Sequence, residues 1–428
     1  MGVGRGARVA VISGPMIATT RKAVPASLTP ASRTFLDAVS RFSAFGAATQ
    51  ARREAGIPYL VNEFWTPRQR RGHGIHEISY RACFKPQLPE FFITGLTGPG
   101  DAVHDPFMGR GTTPVQAALM GRRPTGCDVN PLSLLLTRPR LAPPTAAAVA
   151  ERLREVPWGA GEAGREDLLA FYHPDTLRQL HALRRWLLDR APLGLAHPDP
   201  VDDWIRMVAL NRLTGHSSGF FSVYTLPPNQ AVSVEAQLRI NASRGQAPPP
   251  RDVAAIIAKK TRALLRDGPP PPHPPALLSV GLAGNTPSIP DGSVALVVTS
   301  PPFLDIVQYA ADNWLRCWFA GIDVDAVAIG MHRTEAAWTA MVRGVLAEQA
   351  RLLRPGGHVA FEVGEVRGGR VLLERLVWAA AEGLPLERLA VLVNQQSFTK
   401  TARCWGIGNN AAGTNTNRIV LLRRTPPA

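Results

Sequence analysis

The chain has 428 residues, 45% of them hydrophobic, which is enough for one large domain or two modest ones with a substantial core. Its formal charge of +15 and isoelectric point near 10.7 favour a polyanionic partner, although an arginine-rich proteome would raise the charge in the same way. The four cysteines have no CxxC spacing, and no apolar run is long enough to cross a membrane. These features argue against a zinc site, a disulfide framework and a membrane-spanning protein, and they favour a cytoplasmic location. No metal is expected.

The N-terminal part of the chain is basic and weakly patterned. Residues 1–55 form an alanine- and serine-rich lead, which we predict to be partly disordered and to contain one helix over Pro30–Ala47. From Met1 to Lys85 there are 13 Lys and Arg residues against 4 Asp and Glu, so much of the positive charge lies here. The following stretch, Gly74–Leu96, combines an extended piece with an amphipathic helix.

The stretch Ala102–Pro131 has the pattern of a strand, a glycine turn, a helix and a second strand. The first strand ends at Asp105, the turn contains Gly109 and Gly111, and the second strand ends at Asp128. Glycines let the backbone approach a ligand closely, and the start of a helix offers free N–H groups. An acidic residue about 20 positions further on can accept hydrogen bonds from both hydroxyls of a ribose. The pattern therefore predicts a nucleotide-like ligand over the first strand end.

The sheet pattern disappears between about residues 139 and 275. Helices are predicted over Asp167–Leu193, with a break near Pro174, over Asp202–Leu213 and over Asp252–Arg266. The last helix is basic near Lys259 and Lys260, and together with the basic N-terminal lead it predicts salt-dependent binding of DNA. Two proline runs, which are typical of stiff spacers, flank this last helix. Such a segment is too long for a loop in a compact sheet, so we interpret it as an inserted subdomain.

Strand patterns then return. The predicted strands are Ala276–Val280, Val294–Ser300, His358–Val363, Leu389–Val393 and Arg418–Leu422, with a helix over Ala336–Leu353. Together with the two earlier strands they predict an α/β fold: a Rossmann-like, seven-stranded sheet with a mostly helical insertion between the second and third strands. The polar loop Asn394–Asn417 is either solvated or in contact with a phosphate backbone, and the sequence leaves both open.

One of the returning strands, VALVV, runs directly into Thr299-Ser300-Pro301-Pro302-Phe303. Ser-Pro-Pro alone is a common linker tripeptide. At the end of a buried strand, and followed by an aromatic residue, it is better interpreted as a rigid turn at the ligand edge of the sheet. No cysteine lies beside this turn, so it supplies no thiol nucleophile.

The two stretches together, DPFMGRGTT and TSPPF, resemble the motifs DPFxGxGTT and (D/N/S)PP(Y/F/W) of the amino-methyltransferases that act on DNA bases. The resemblance covers roughly Ile75–Asn130 and Ala276–Leu422 and implies a methyltransferase fold with S-adenosylmethionine as cofactor. It implies catalytic roles for Ser300, Pro301, Pro302 and Phe303. It implies cofactor binding by Asp105, Pro106, Phe107, Gly109, Gly111, Thr112, Asp128, Asn130, Asn285 and Lys85, although Asn285 stands where relatives often have aspartate.

The resemblance also suggests a division of the chain. Residues 56–138 and 276–428 form the expected catalytic domain, and residues 139–275 form a helical subdomain for target recognition. Residues 1–55 and the insertion are not explained by the resemblance itself.

The expected function is site-specific transfer of a methyl group to N4 of cytosine in double-stranded DNA with base flipping, for restriction-modification or epigenetic marking. A cognate restriction endonuclease would be a partner, and association with the nucleoid would follow. Serine in the first motif position is typical of N4-cytosine enzymes, but the correlation has exceptions, so an N6-adenine enzyme stays open. Two further functions stay open as well: an RNA base methyltransferase of the guanine-N2 type, and a nucleic-acid-binding protein on a methyltransferase scaffold.

Overall fold

A nine-stranded sheet forms the centre of the protein. The computed structural model describes residues 30–65, 72–80, 83–161, 164–195, 197–225, 231–304, 309–327, 329–330, 332–367, 369–395 and 416–426. The sheet strands are β1 Gln50–Glu54, β2 Ile57–Asn62, β3 Ala102–Asp105, β4 Arg123–Asp128, β5 Leu277–Val280, β6 Val294–Thr299, β7 Leu353–Val363, β10 Leu386–Gln395 and β11 Thr416–Arg424. A separate two-stranded sheet consists of β8 Glu365–Val366 and β9 Val371–Leu372.

The strand order is β1-β2-β10-β11-β7-β6-β3-β4-β5, which leaves β1 and β5 at the edges. The strands pair in parallel except for β1 and β11, which run antiparallel to their neighbours. The carboxyl ends of β3, β4 and β6 therefore lie at the same edge of the sheet. This arrangement confirms the predicted Rossmann-like α/β class.

The predicted number of seven strands is wrong, because the β1–β2 hairpin adds two. Its two-residue turn, Ala55-Gly56, has positive φ at both positions, +47° and +80°, as a tight hairpin requires. The sequence QARRE of β1 has no buried alternation, since four of its five residues are exposed. The turn also lacks the Asn-Gly or Asp-Gly signal, so nothing in the predicted N-terminal lead indicates a hairpin.

Helices cover both faces of the sheet. They are α1 Pro30–Ser40, α2 Gln87–Leu96, α3 Thr112–Leu119, α4 Pro131–Thr137, α5 Ala146–Arg152, α6 Pro174–Arg190, α7 Pro200–Leu210, α8 Val234–Arg244, α9 Val253–Leu264, α10 Tyr309–Ala320, α11 Glu335–Leu352 and α12 Leu373–Ala380. Strand β6 is continuously apolar because both of its faces are covered by helices. Val297 packs with α11 and α12 on one face, whereas Leu296 and Val298 pack with α1 to α3 on the other.

The described part of the insertion, residues 139–275, is helical, with α5 to α9 around a third hydrophobic cluster that also includes α4 and α10. Trp204 lies at its centre, fully buried, and its Nε1–H donates to Thr261 Oγ1 at 3.0 Å. The proline run before β5 returns the chain to the edge of the sheet. Within the described residues, no helix is long and apolar enough to cross a membrane.

Candidate active site

The two sequence motifs meet where β3 and β6 end side by side. Thr299, the last residue of β6, donates its hydroxyl to Asp105 Oδ1, the last residue of β3, at 2.6 Å. Both side chains are buried. This bond fixes the DPF turn and the SPPF turn relative to each other, although 194 positions separate the two residues.

Burial governs the charge of Asp105. It raises the pKa of the carboxyl to about 7, against which the hydrogen bonds from Thr299 and from the backbone N–H of Phe107 act. The carboxyl thus changes charge near neutral pH. Both of these donors bond to Asp105 Oδ1. A contact between Asp105 and a cofactor stays a prediction.

Backbone conformation shapes the glycine loop. Gly109 and Gly111 have φ of +49° and +77°, in the left-handed region that favours glycine. At Gly111 there is no room for a side chain either, since an added Cβ would lie 2.2 Å from Thr137 Oγ1. Thr112, which is buried, then begins α3, and the Thr113 hydroxyl donates to the Val298 carbonyl at 3.0 Å.

The structure brings Asp128 onto this loop, as the sequence predicts. Its carboxylate accepts from the backbone N–H of Gly109 at 2.8 Å and of Asn130 at 2.9 Å, while burial raises its pKa. Asn130 is fully buried and caps α4 by accepting from Leu132 N at 3.0 Å. Its Nδ2 has no hydrogen-bond partner within the described residues, which leaves one buried donor for a ligand.

Neighbouring side chains anchor the SPPF turn. The Pro302 carbonyl accepts from Nε1–H of the fully buried Trp338 at 2.9 Å. Pro301 is buried, and the partly buried ring of Phe303 lies so close to Gly364 that an added Cβ there would be 3.0 Å from Phe303 Cε2. Ser300, also partly buried, follows Thr299, which pairs with Phe361 of β7, so the strand register places Ser300 beside Glu362.

Two predicted cofactor residues are less closely tied to the loop. Lys85 and Asn285 are exposed, Lys85 before α2 and Asn285 on the turn that follows β5. Within the described residues, no hydrogen bond joins either side chain to the glycine loop. Pro106 is buried and Phe107 is partly buried beside it, so these two do lie at the loop.

Sequence reasoning missed two arginines that hold the preceding segment, Gly74–Leu96 (the lead-in segment), over the glycine loop. Arg110 donates to the carbonyls of Ile78 at 2.8 Å and Phe84 at 3.3 Å. Arg140 is fully buried, donates to the Arg110 carbonyl and to Leu136 O, and has its pKa lowered to about 9 by burial. Arg110 occupies the variable position between Gly109 and Gly111 in the motif DPFxGxGTT. The motif therefore does not indicate its role, and only its contacts in the fold do.

The insertion reaches the same lead-in segment through its last helix. Lys260 of α9 pairs with Glu77 at 3.2 Å and is 8% exposed, and the Asp267 carboxylate accepts from Gly74 N at 2.7 Å. Lys260 is therefore wrong as a candidate for binding DNA phosphates, because its ammonium is buried and paired, whereas Lys259 is exposed and its predicted role stays a prediction.

Two predicted features lie largely outside the described residues: the N-terminal lead and the polar loop Asn394–Asn417. In the part of the chain that is described, no group of three or more His, Cys, Asp or Glu side chains has the geometry of a metal site.

The part of the chain that carries the glycine loop is similar to a known family. Residues 47–134, which include β1 to β4, match the N6/N4 methyltransferase family model, described as DNA methylase. Over these residues the chain is similar to the DNA amino-methyltransferases. S-adenosylmethionine is the methyl donor of this family, and the predicted resemblance to it is confirmed.

Among curated proteins, the type II methyltransferase M.MjaII of Methanocaldococcus jannaschii is 42% identical over 74 residues. This alignment covers 17% of the present chain and only 14% of the length of that relative. The chain therefore spans only a small part of the length of this curated relative.

Solved structures resemble this chain in fold alone. TrmN of Thermus thermophilus is 12% identical with a TM-score of 0.31, covering 80% of this chain and 50% of that one. A geranyl diphosphate methyltransferase with bound sinefungin is 12% identical with a TM-score of 0.31, covering 79% and 78%. A candidate DNA modification methylase, also of Thermus thermophilus and complexed with S-adenosyl-L-methionine, is 22% identical with a TM-score of 0.20, covering 33% and 52%. The similarity to DNA amino-methyltransferases therefore depends on the sequence match over residues 47–134.

Proposed function

We propose that this DNA amino-methyltransferase transfers a methyl group from S-adenosylmethionine to the exocyclic N4 of a cytosine in DNA. The observation that carries the proposal is the 2.6 Å hydrogen bond between Thr299 and Asp105, since it holds the cofactor loop and the SPPF turn at one edge of the sheet. A methyl donor on the first loop and an amino group on the second can then meet without a domain movement.

The residues of the glycine loop fit the cofactor. When bound, S-adenosylmethionine supplies an electrophilic methyl group. Gly109 and Gly111 expose backbone to the ligand, and the buried Nδ2 of Asn130 is an unused donor within the described residues. Each Asp128 oxygen accepts one backbone N–H and keeps a further lone pair, so the carboxylate can accept two ribose hydroxyls.

The SPPF turn provides the contacts that a target amino group needs. An exocyclic amino nitrogen is a weak nucleophile because its lone pair is delocalised into the ring, so the enzyme must align it rather than bond to it. We assign the Pro301 carbonyl and the Ser300 hydroxyl as acceptors of the two amino hydrogens. Phe303, which is partly exposed, offers a ring face for stacking an extruded base. The Trp338 bond to Pro302 keeps the turn rigid.

The choice of cytosine depends on the serine at the first position of the motif, where adenine enzymes typically have aspartate. DNA as the polyanion agrees with the formal charge of +15, and the helical insertion is the proposed source of sequence recognition. A cognate restriction endonuclease is the expected partner if the enzyme is one half of a restriction-modification pair.

Transfer of a labelled methyl group tests the proposal. The purified protein is incubated with labelled S-adenosylmethionine and either duplex DNA or RNA, and the polymers are digested to nucleosides. We expect N4-methylcytosine from DNA. Phe303→Ala should weaken binding of the flipped nucleotide by about 1–3 kcal/mol. Asp291→Ala, at an exposed ion pair with Arg351 on another part of the surface, is the control.

Each different product would change the assignment. N6-methyladenine alone would remove the cytosine assignment and keep a DNA enzyme. Methylguanine in RNA alone would remove DNA as the substrate. Tight cofactor-independent binding of DNA without any transfer would favour a binding protein on a methyltransferase scaffold.

A further inference from the structure

A buried carboxyl group with no role in the proposed reaction lies next to the SPPF turn. Glu362 is on β7, the neighbour of β6, and is 7% exposed. Its Oε1 accepts from Asn417 Nδ2 on β11 at 2.9 Å. Thr299 pairs with Phe361, so the strand register places Ser300, the next residue, beside Glu362. Three adjacent strands thus contribute one polar row, Ser300–Glu362–Asn417, at the catalytic edge of the sheet.

The fold itself gives no reason for a carboxyl group at this position. The residues on either side, Phe361 and Val363, are fully buried in the apolar core. Burial raises the pKa of Glu362, and the groups that act against this are two neutral side chains rather than a lysine or arginine. Burying a carboxyl group without a cation is costly, and such groups are concentrated at functional sites.

A hydrogen bond from Ser300 to the adjacent carboxylate of Glu362 would determine which way the Ser300 hydroxyl can point. A hydroxyl has one hydrogen and two lone pairs. If its hydrogen is donated to Glu362, Oγ presents only lone pairs toward the base. It then accepts from an amino group but cannot donate to a carbonyl oxygen in the same place.

We propose that Glu362 is a positioning residue that holds the Ser300 hydroxyl as a hydrogen-bond acceptor and thereby selects a target base that carries an exocyclic amino group. This inference deepens the proposed function and depends on the SPPF turn being its target site. Cytosine offers an amino hydrogen at this position, whereas thymine and uracil offer a carbonyl oxygen and are rejected.

Glu362→Gln tests the inference with almost no change in shape. If Asn417 keeps its bond to the amide oxygen, the amide N–H₂ faces Ser300 and forces the hydroxyl hydrogen toward the base. We expect kcat to fall about tenfold to a hundredfold, with the KM for the cofactor unchanged. In a Ser300→Ala background, Glu362→Gln should lower kcat by less than about threefold, because the hydroxyl it acts through is gone.

Glu374→Gln is the matched control. Glu374 is also a fully buried carboxyl group, but it pairs with Arg418 at 2.8 Å. Its substitution should have the same effect with and without Ser300. An equal effect of Glu362→Gln in both backgrounds would overturn the proposal, as would a loss that appears only in the KM for the cofactor. Thermal unfolding of each variant identifies any that are merely destabilised.

A second measurement needs no turnover. Glutamate side chains are labelled with ¹³C at Cδ and titrated by NMR, with Glu362→Gln identifying the Glu362 resonance. Since the Ser300 bond lowers the pKa of Glu362, Ser300→Ala should move its titration to higher pH. An unchanged titration would overturn the coupling.

The two measurements separate this inference from the proposed function. If the enzyme methylates adenine or RNA instead, cytosine N4 is excluded, and the double-variant comparison is made on the base that is methylated. If no polymer is methylated, the NMR titration decides the coupling by itself.

Discussion

The loop after β3 is shaped by its own backbone, whereas the turn after β6 is held by side chains that arrive from elsewhere in the chain. Gly109, Gly111 and Asp128 form a local unit, in which the bond between Asp128 and Gly109 N spans 19 positions. The SPPF turn instead depends on Trp338 and Glu362, which come from α11 and β7. Substitutions at the glycines of the first loop should therefore change its backbone conformation. At the SPPF turn, single substitutions of the contacting side chains can remove one contact and leave the others in place.

The largest expected effect comes from Gly111→Ala. Alanine at φ +77° is strained, and its Cβ would collide with Thr137, so we expect a loss of about 2–4 kcal/mol of unfolding free energy. Denaturant unfolding measures it. Gly121→Ala is the control, since Gly121 has φ +70° but open space around it, and should cost only about 1 kcal/mol. Equal losses at both positions would mean that the close approach to Thr137 is unimportant.

The buried carboxyl group of Asp105, which joins the two loops, should make stability depend on pH. A carboxyl group whose pKa is raised on folding stabilises the protein at low pH, and this contribution is lost as pH rises to the folded pKa. For Asp105 the window runs from its ordinary value of 3.8 to about 7. Asp105→Asn should remove the dependence, so the variant should gain a few kcal/mol relative to wild type between about pH 4 and pH 7.

Denaturant titrations of wild type and Asp105→Asn at several pH values test this prediction. The difference between the two proteins isolates Asp105 from the other titrating groups. A constant difference across the range would show that Asp105 has the same pKa in the folded and unfolded states.

Asp128→Ala tests the cofactor loop alone. It removes a carboxylate that accepts from Gly109 and Asn130 and could accept ribose hydroxyls, so cofactor binding should weaken by about 1–3 kcal/mol. Calorimetric titration with S-adenosylmethionine measures the change. A folded variant with wild-type affinity would contradict the assignment of Asp128.

Trp338→Phe tests the SPPF turn alone and should have the smallest effect. It keeps most of the buried ring but removes the N–H that Pro302 accepts, at a cost of about 1 kcal/mol. We expect a lower kcat for methyl transfer with unchanged cofactor affinity. If affinity for the cofactor fell instead, the two loops would not be independently held.

The difference between the glycine loop and the SPPF turn also explains which parts of the site the sequence could predict. Residues Asp105 to Asn130 form one continuous unit, so glycine spacing and the acid after the next strand are sufficient to locate the loop. The partners of the SPPF turn are not predictable, because nothing near Trp338 or Glu362 in the sequence indicates which strand end they face. That information is contained in the order of β3, β6 and β7, which the sequence predicts only as a class of fold.

Two wrong predictions have similar local causes. Lys260 resembles a surface cation because its helix is basic, but the amphipathic pattern does not indicate that Glu77 lies opposite it. The β1–β2 hairpin is not predictable because its turn, Ala55-Gly56, carries the required positive φ on a residue type that rarely adopts it. The family match over residues 47–134 agrees with the predicted resemblance, and the domain division and individual binding roles stay predictions.

The two edges of the sheet have a consequence for how the protein behaves in a crowded solution. An edge strand with free N–H and C=O groups can recruit a strand from another molecule. Here β5 has four residues and follows Pro274 and Pro275, which have no N–H to extend a ladder, while β1 carries Arg52 and Arg53. A short, proline-blocked strand at one side and a charged strand at the other disfavour edge-to-edge aggregation, even though Leu277 and Val280 are exposed on β5.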